Sequence, residues 1–197
     1  MEKYSVYIFV ALLFVISSNG FAQESQEIKT MLESRDNEIK ELLGPKGNEY
    51  TSEQRNSLKD IINGVIDFES MARFALDDTF NEISGENRDE FVSLFSTIIR
   101  DQSLNRLDIY RADVVYNEIE VIGDSAYVST TAQLEDVRTP VHYKMEKMEG
   151  EWFITDMIID DVSTAESYHR QFQSIIRQRG FDALLTSLRN RAARSST

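Results

Sequence analysis

Few side chains in this sequence are placed to do chemistry. The two histidines, His142 and His169, fall in different predicted elements, and neither has a second His or a Cys at metal-ligand spacing. Surface or edge positions explain them better than a metal site completed by carboxylates. Ser163 lacks the partner pattern of a nucleophile; with Glu166 three residues on, it reads as a helix cap. No glycine-rich phosphate loop occurs, and the few glycines sit at plausible turns. The chain has no Cys, so neither a lipoprotein anchor on a processed Cys nor a disulfide framework is available. Asp156 is the one carboxylate directed inward, mid-strand between Thr155 and Met157. Two roles are open to it: a general base, if buried near Tyr143, or an acceptor for backbone or a nearby helix. The second is preferred, and no catalytic residue, metal or cofactor is expected.

Asp156 and Ser163 belong to a stretch from Gly150 to Phe172 that reads as a strand breaking into a helix. Trp152, Ile154 and Ile158 alternate with Phe153, Met157 and Ile159, which predicts a strand covered on both faces. It stops at Asp160-Asp161. Ser163-Thr164-Ala165-Glu166 has the spacing of a capping box, and Tyr168, Phe172, Ile175 and Ile176 then give a stripe turned back toward the sheet.

Four amphipathic helices precede any strand. Ile28, Met31, Leu32, Ile39 and Leu42 set the first, over Glu24 to Leu43, and Gly44-Pro45-Lys46-Gly47 ends it. Thr51 with Gln54 caps the second, which carries Leu58, Ile61, Ile62 and Val65. Asp67 to Leu76 is a third, short helix. Ser84 caps the longest, where Phe91, Leu94, Phe95, Ile98 and Ile99 continue toward Tyr110. After Asp113 the period changes to that of strands: Val114 to Val121, Ala126 to Leu134 across the Gly123-Asp124 turn, and Pro140 to Lys147. Short links make these and the Trp152 strand an antiparallel meander. The expected class is α+β, a four-stranded curved sheet packed by several helices.

At 197 residues and net charge −13, the chain is long enough for one domain with a real core, and its charge argues against nucleic-acid binding. Acids dominate from Glu24 to Glu90, whereas Arg170, Arg177, Arg179, Arg189, Arg191 and Arg194 share the C-terminal stretch with Asp182 alone. Two solvated helical faces of opposite sign explain this most simply. Lys3, the uncharged run Tyr4 to Ile16 and the small-x-small site Gly20-Phe21-Ala22 predict an export signal over residues 1–22. A single domain of residues 23–197, starting at Gln23, would remain.

The ordered set Gly150, Trp152, Asp156, Ile159, Val162, Ser163, Tyr168, Gln171 and Phe172 resembles the signature of the MlaC, or toluene-tolerance, family. So do Phe68 to Leu76 before it and Gly180, Phe181, Leu185 and Leu188 after it. Asp77 and Asp161 stand where that pattern usually has Gly. The resemblance implies a cone-shaped sheet of the nuclear-transport-factor-like type around an apolar pocket. It also implies a periplasmic phospholipid carrier that serves an inner-membrane MCE/ABC transporter complex and an outer-membrane lipoprotein–porin complex. A lipid site has no motif, so the candidate lining residues are drawn from the apolar inventory of eleven Phe, eight Tyr and six Met with their aliphatic neighbours. They are Phe68, Met71, Phe91, Phe95 and Ile98 from the helices, Val128, Tyr143, Met157 and Ile159 from the strands, and Phe172. Two alternatives stay open: a carrier of hopanoids or other polycyclic lipids, and an isomerase-type enzyme using Asp156.

Overall fold

The computed structural model describes the backbone of residues 5–47, 50–104 and 107–195, and side chains from Ala22 onward except at positions 108 and 195. Lys3 and the other side chains of the expected export segment before Ala22 lie outside the described residues.

Helix α1 (Ser5–Leu43) places Ile28, Leu32, Ile39 and Leu43 on one buried stripe, as their spacing predicts. Among the described residues no helix is long and apolar enough to cross a membrane. Helix α2 (Ser52–Asn63) starts at a complete capping box: Thr51 Oγ1 accepts from the Gln54 amide at 3.2 Å, and Gln54 Oε1 accepts from the Thr51 amide at 3.1 Å. Helix α3 (Phe68–Leu76) is capped by Asp67, and α4 (Asp78–Glu82) follows as a single turn. Helix α5 (Gly85–Leu104) takes its cap from Ser84. It stops short of Tyr110, which belongs instead to a 3-10 turn (Leu107–Arg111). Arg111 holds that turn against the end of α1, donating to the Leu43 and Gly44 carbonyls and to the Tyr50 hydroxyl.

The strands β1 (Asp113–Ile122), β2 (Ser125–Leu134), β3 (Val137–Met148) and β4 (Glu151–Ile159) form the expected antiparallel meander. There is also a fifth strand, β5 (Val162–Ser163), where four were expected. Asp160 and Asp161 both take positive φ, 52° and 63°, and so fold the chain back onto β4 for two residues before α6 begins. Asp161 and Asp77 (φ 53°) both adopt backbone conformations that glycine tolerates best.

Two bulges bend the sheet and change which residues face inward. Asn117 is the extra residue in β1 and Thr155 the extra residue in β4. Beyond Thr155 the phase reverses, so Met157 and Ile159 share the inner face with Trp152 and Ile154. The prediction of two regular alternating faces on β4 is therefore corrected. Trp152, Ile154 and Asp156 are buried, while Phe153, Thr155, Met157 and Ile158 are only partly so.

Helices α6 (Thr164–Arg179) and α7 (Phe181–Ser195) complete the fold. Ser163 caps α6 by accepting from the Glu166 amide at 3.0 Å. The return half of the expected capping box is absent, and Glu166 pairs with Arg170 instead. Three apolar clusters result. The helical one joins α3, α5, α6 and α7 around Phe80, Phe91, Phe95 and Phe172, all at most 2% exposed. A second seals α1 against the inner face through Ile28, Leu32, Val128, Met145 and Trp152. A third joins Ile39 and Leu43 to Leu58, Ile62 and Leu107. The basic face of α7 is partly neutralised, since Arg189 makes a two-point contact with Glu90 on α5 at 2.6 and 2.7 Å.

Candidate functional site

The three clusters do not merge. Between them lies a cavity of about 580 Å³, lined by Leu32 of the sheet cluster, Ile39 and Ile62 of the third cluster, and Ile66 and Ile99 beside the helical one. That volume falls within the roughly 300–1,000 Å³ range of small-molecule sites. The sheet contributes Val114, Tyr116, Tyr143, Ile154, Met157 and Ile159, and α6 closes one side with Thr164 and Tyr168. Next to it a surface hollow containing Arg191 shares Ile159, Thr164 and Tyr168 with the cavity. Ile159, 37% exposed, therefore marks a rim rather than a floor.

Of the residues singled out from the sequence, Tyr143, Met157 and Ile159 line the cavity. Met71, Phe91, Phe95, Ile98 and Phe172 are interlocked in the helical cluster instead, with Phe91, Phe95 and Phe172 in mutual ring contact. Val128 is fully buried in the sheet cluster. Phe68 lies under the Arg100 guanidinium, 5.1 Å from its ring centre.

Sequence reasoning missed the polar part of the lining. Arg35 and Asp36 come from α1, Asn63 from the end of α2, Gln102 and Ser103 from α5, and Tyr110 from the 3-10 turn. One signal was present: Asp36 lies at i+4 from Leu32 and i−3 from Ile39, so a charge interrupts the buried stripe of α1. Most of these groups are held in place. Arg35 Nη1 donates to the Ile61 carbonyl at 3.3 Å, Asp36 pairs with Lys40 at 2.9 Å, and Tyr168 donates to Gln102 at 3.0 Å. Asn63 donates to the Lys59 carbonyl and to Ser103, leaving its own buried carbonyl oxygen without a partner.

Burial, then the charge of Asp36, pushes the Tyr143 phenol up to about 12. Tyr110 and Tyr116 are raised still further, again mainly by burial and then by Tyr143. All three are neutral donors near neutral pH.

Asp156 takes no part in the cavity lining. Its Oδ1 accepts from the Ala165 amide at 2.9 Å and its Oδ2 from the Ser163 hydroxyl at 2.7 Å, so both oxygens are spent on the N-terminus of α6. This is the acceptor role, and it sets α6 against β4. Among the described residues, no group of three His, Cys, Asp or Glu side chains could hold a metal ion.

The profile described as MlaC protein matches residues 25–190. Seven solved chains match the fold. Among them, the phospholipid-binding protein from Ralstonia solanacearum, solved in complex with a phospholipid, superimposes with a TM-score of 0.71 at 22% identity. The match covers 86% of this chain and 97% of that one. At that identity the likeness is one of fold. No curated protein matches the sequence.

Proposed function

The chain belongs to the MlaC family, and on that premise we propose that it is an exported, periplasmic carrier which holds a glycerophospholipid with its acyl chains in the cavity between α1 and the sheet. Residues 1–22 act as the cleaved signal peptide, and residues 23–197 are the mature lipid-binding domain. The carrier shuttles lipid between the inner and outer membranes as the soluble component of an MCE/ABC-type transport system. It docks on the inner-membrane transporter complex and on the outer-membrane lipoprotein–porin complex. No covalent step is needed, so the protein is a binding protein rather than an enzyme.

The observation that carries this reading is a largely apolar space that the protein's own side chains leave unfilled, about 580 Å³ where three clusters fail to merge. Protein interiors are otherwise close-packed, and voids larger than a water molecule are few. Each acyl methylene moved into such a space contributes about 0.8 kcal/mol. The Ralstonia protein of the same fold was solved with a phospholipid bound, which supports the choice of ligand. Tyr143, Met157 and Ile159, with Leu32, Ile39 and Ile62, contact the chains, while the phenylalanines of the helical cluster form the wall behind them.

The test is solvent extraction of the protein purified from its native compartment, followed by mass spectrometry. A stoichiometric glycerophospholipid is expected. An empty protein, or a hopanoid in its place, overturns the assignment.

A further inference from the structure

Three phenol groups meet in the cavity without protein partners. Tyr110 arrives on the 3-10 turn, Tyr116 on β1 and Tyr143 on β3, and each lines the same space. Among the described residues, the tyrosines Tyr50 and Tyr168 have hydrogen-bond partners in Arg111 and Gln102, whereas these three have none. Tyr110 and Tyr116 each feel the charge that Tyr143 would carry, so the three hydroxyls occupy one neighbourhood. The three residues are half-buried and their hydroxyls are not sealed in protein, so they stay free to donate to whatever enters the cavity. Three together in a largely apolar chamber mark a place for acceptor atoms that a guest supplies.

Depth narrows the acceptor. The nearby carboxylates are already paired, Asp36 with Lys40 at 2.9 Å and Glu33 with Lys29 at 3.7 Å, and the space around the hydroxyls is lined mainly by apolar side chains, so the group they meet is the one next to the acyl chains. In a diacyl lipid, the carbonyls that lie directly above the acyl chains are those of the esters.

We propose that Tyr110, Tyr116 and Tyr143 donate hydrogen bonds to the ester carbonyls of a diacyl lipid; this rests on the lipid-carrier reading above. The three tyrosines thus set specificity for ester-linked over ether-linked chains.

The experiment titrates the delipidated protein with dipalmitoyl phosphatidylglycerol and with its dihexadecyl ether analogue, reading displacement of a bound fluorescent dye. The ester lipid is expected to bind roughly tenfold more tightly than the ether lipid, the worth of two or three neutral hydrogen bonds. Replacing all three residues (Tyr110→Phe, Tyr116→Phe, Tyr143→Phe) keeps the apolar bodies of the rings and should bring the ester lipid down to the ether level. Equal binding of ester and ether lipids by the unaltered protein overturns this inference and leaves the carrier reading standing. Binding of neither lipid overturns both. A triple variant that keeps its ester preference removes the tyrosines from the assignment.

Discussion

Asp77 shows how one residue can carry strain for a turn. It joins α3 to α4 with φ 53° and ψ −134°, a combination suited to glycine and unfavourable for a residue with a Cβ. Its side chain makes no capping bond to offset that cost. Asp77→Gly is expected to raise stability by about 1 kcal/mol in urea unfolding, less than the full strain because glycine also loosens the unfolded chain. The tyrosines make a second residue-scale prediction. Tyr143 keeps its proton up to about pH 12 when folded, against an ordinary value of 10.0. Between those values the unfolded chain has released the proton and the folded chain has not, so stability falls as pH rises through that window. Below pH 10 the contribution is fully present. Chemical unfolding followed from pH 9 to 12 should show the decline, and Tyr143→Phe should make it shallower.

At the scale of elements, the division between packed wall and cavity lining predicts unequal responses to truncation. Phe95 on α5 is fully buried and meets Tyr168 and Phe172 edge to face at 4.9 and 5.5 Å. Phe95→Ala should cost about 3–5 kcal/mol, because it opens a void among interlocked rings. Met157 on β4 already borders empty space, so Met157→Ala should cost only about 1 kcal/mol while enlarging the cavity. Thermal unfolding of the two variants side by side checks the order. Both positions looked alike in the sequence, as apolar residues at regular spacing, and the Thr155 bulge is what put Met157 on the inner face. A bulge is one extra residue against a partner strand, so it exists only as a pairing. The alternation of β4 read along the chain therefore gave the wrong partners beyond Asp156.

For the whole molecule, the unmerged clusters make stability depend on what fills the space between them. A guest that binds only the folded state adds about 2.7 kcal/mol at a free concentration 100 times its dissociation constant. For a chain of this length, removing it should lower the melting temperature by about 5–10 °C. Calorimetry before and after solvent delipidation, with recovery on adding phospholipid, measures the shift. The overall charge of −13 opposes adhesion to anionic bilayers.

The local features were legible in the residues themselves. The stripes of α1 and α5, the Thr51 and Ser84 caps, the Gly123 turn and the change of period after Asp113 all follow from propensity, capping and periodicity, which act over a few residues. The order of helices, meander and helices followed from them. What tertiary structure alone decided is where matter is missing. Tyr110 and Tyr116, near one another in sequence, share a cavity with the distant Tyr143 because Arg111 anchors one turn and two bulges bend one sheet. A core position and a lining position obey the same hydrophobic pattern, since both leave water. They differ only in whether another part of the chain arrives to fill the space beside them.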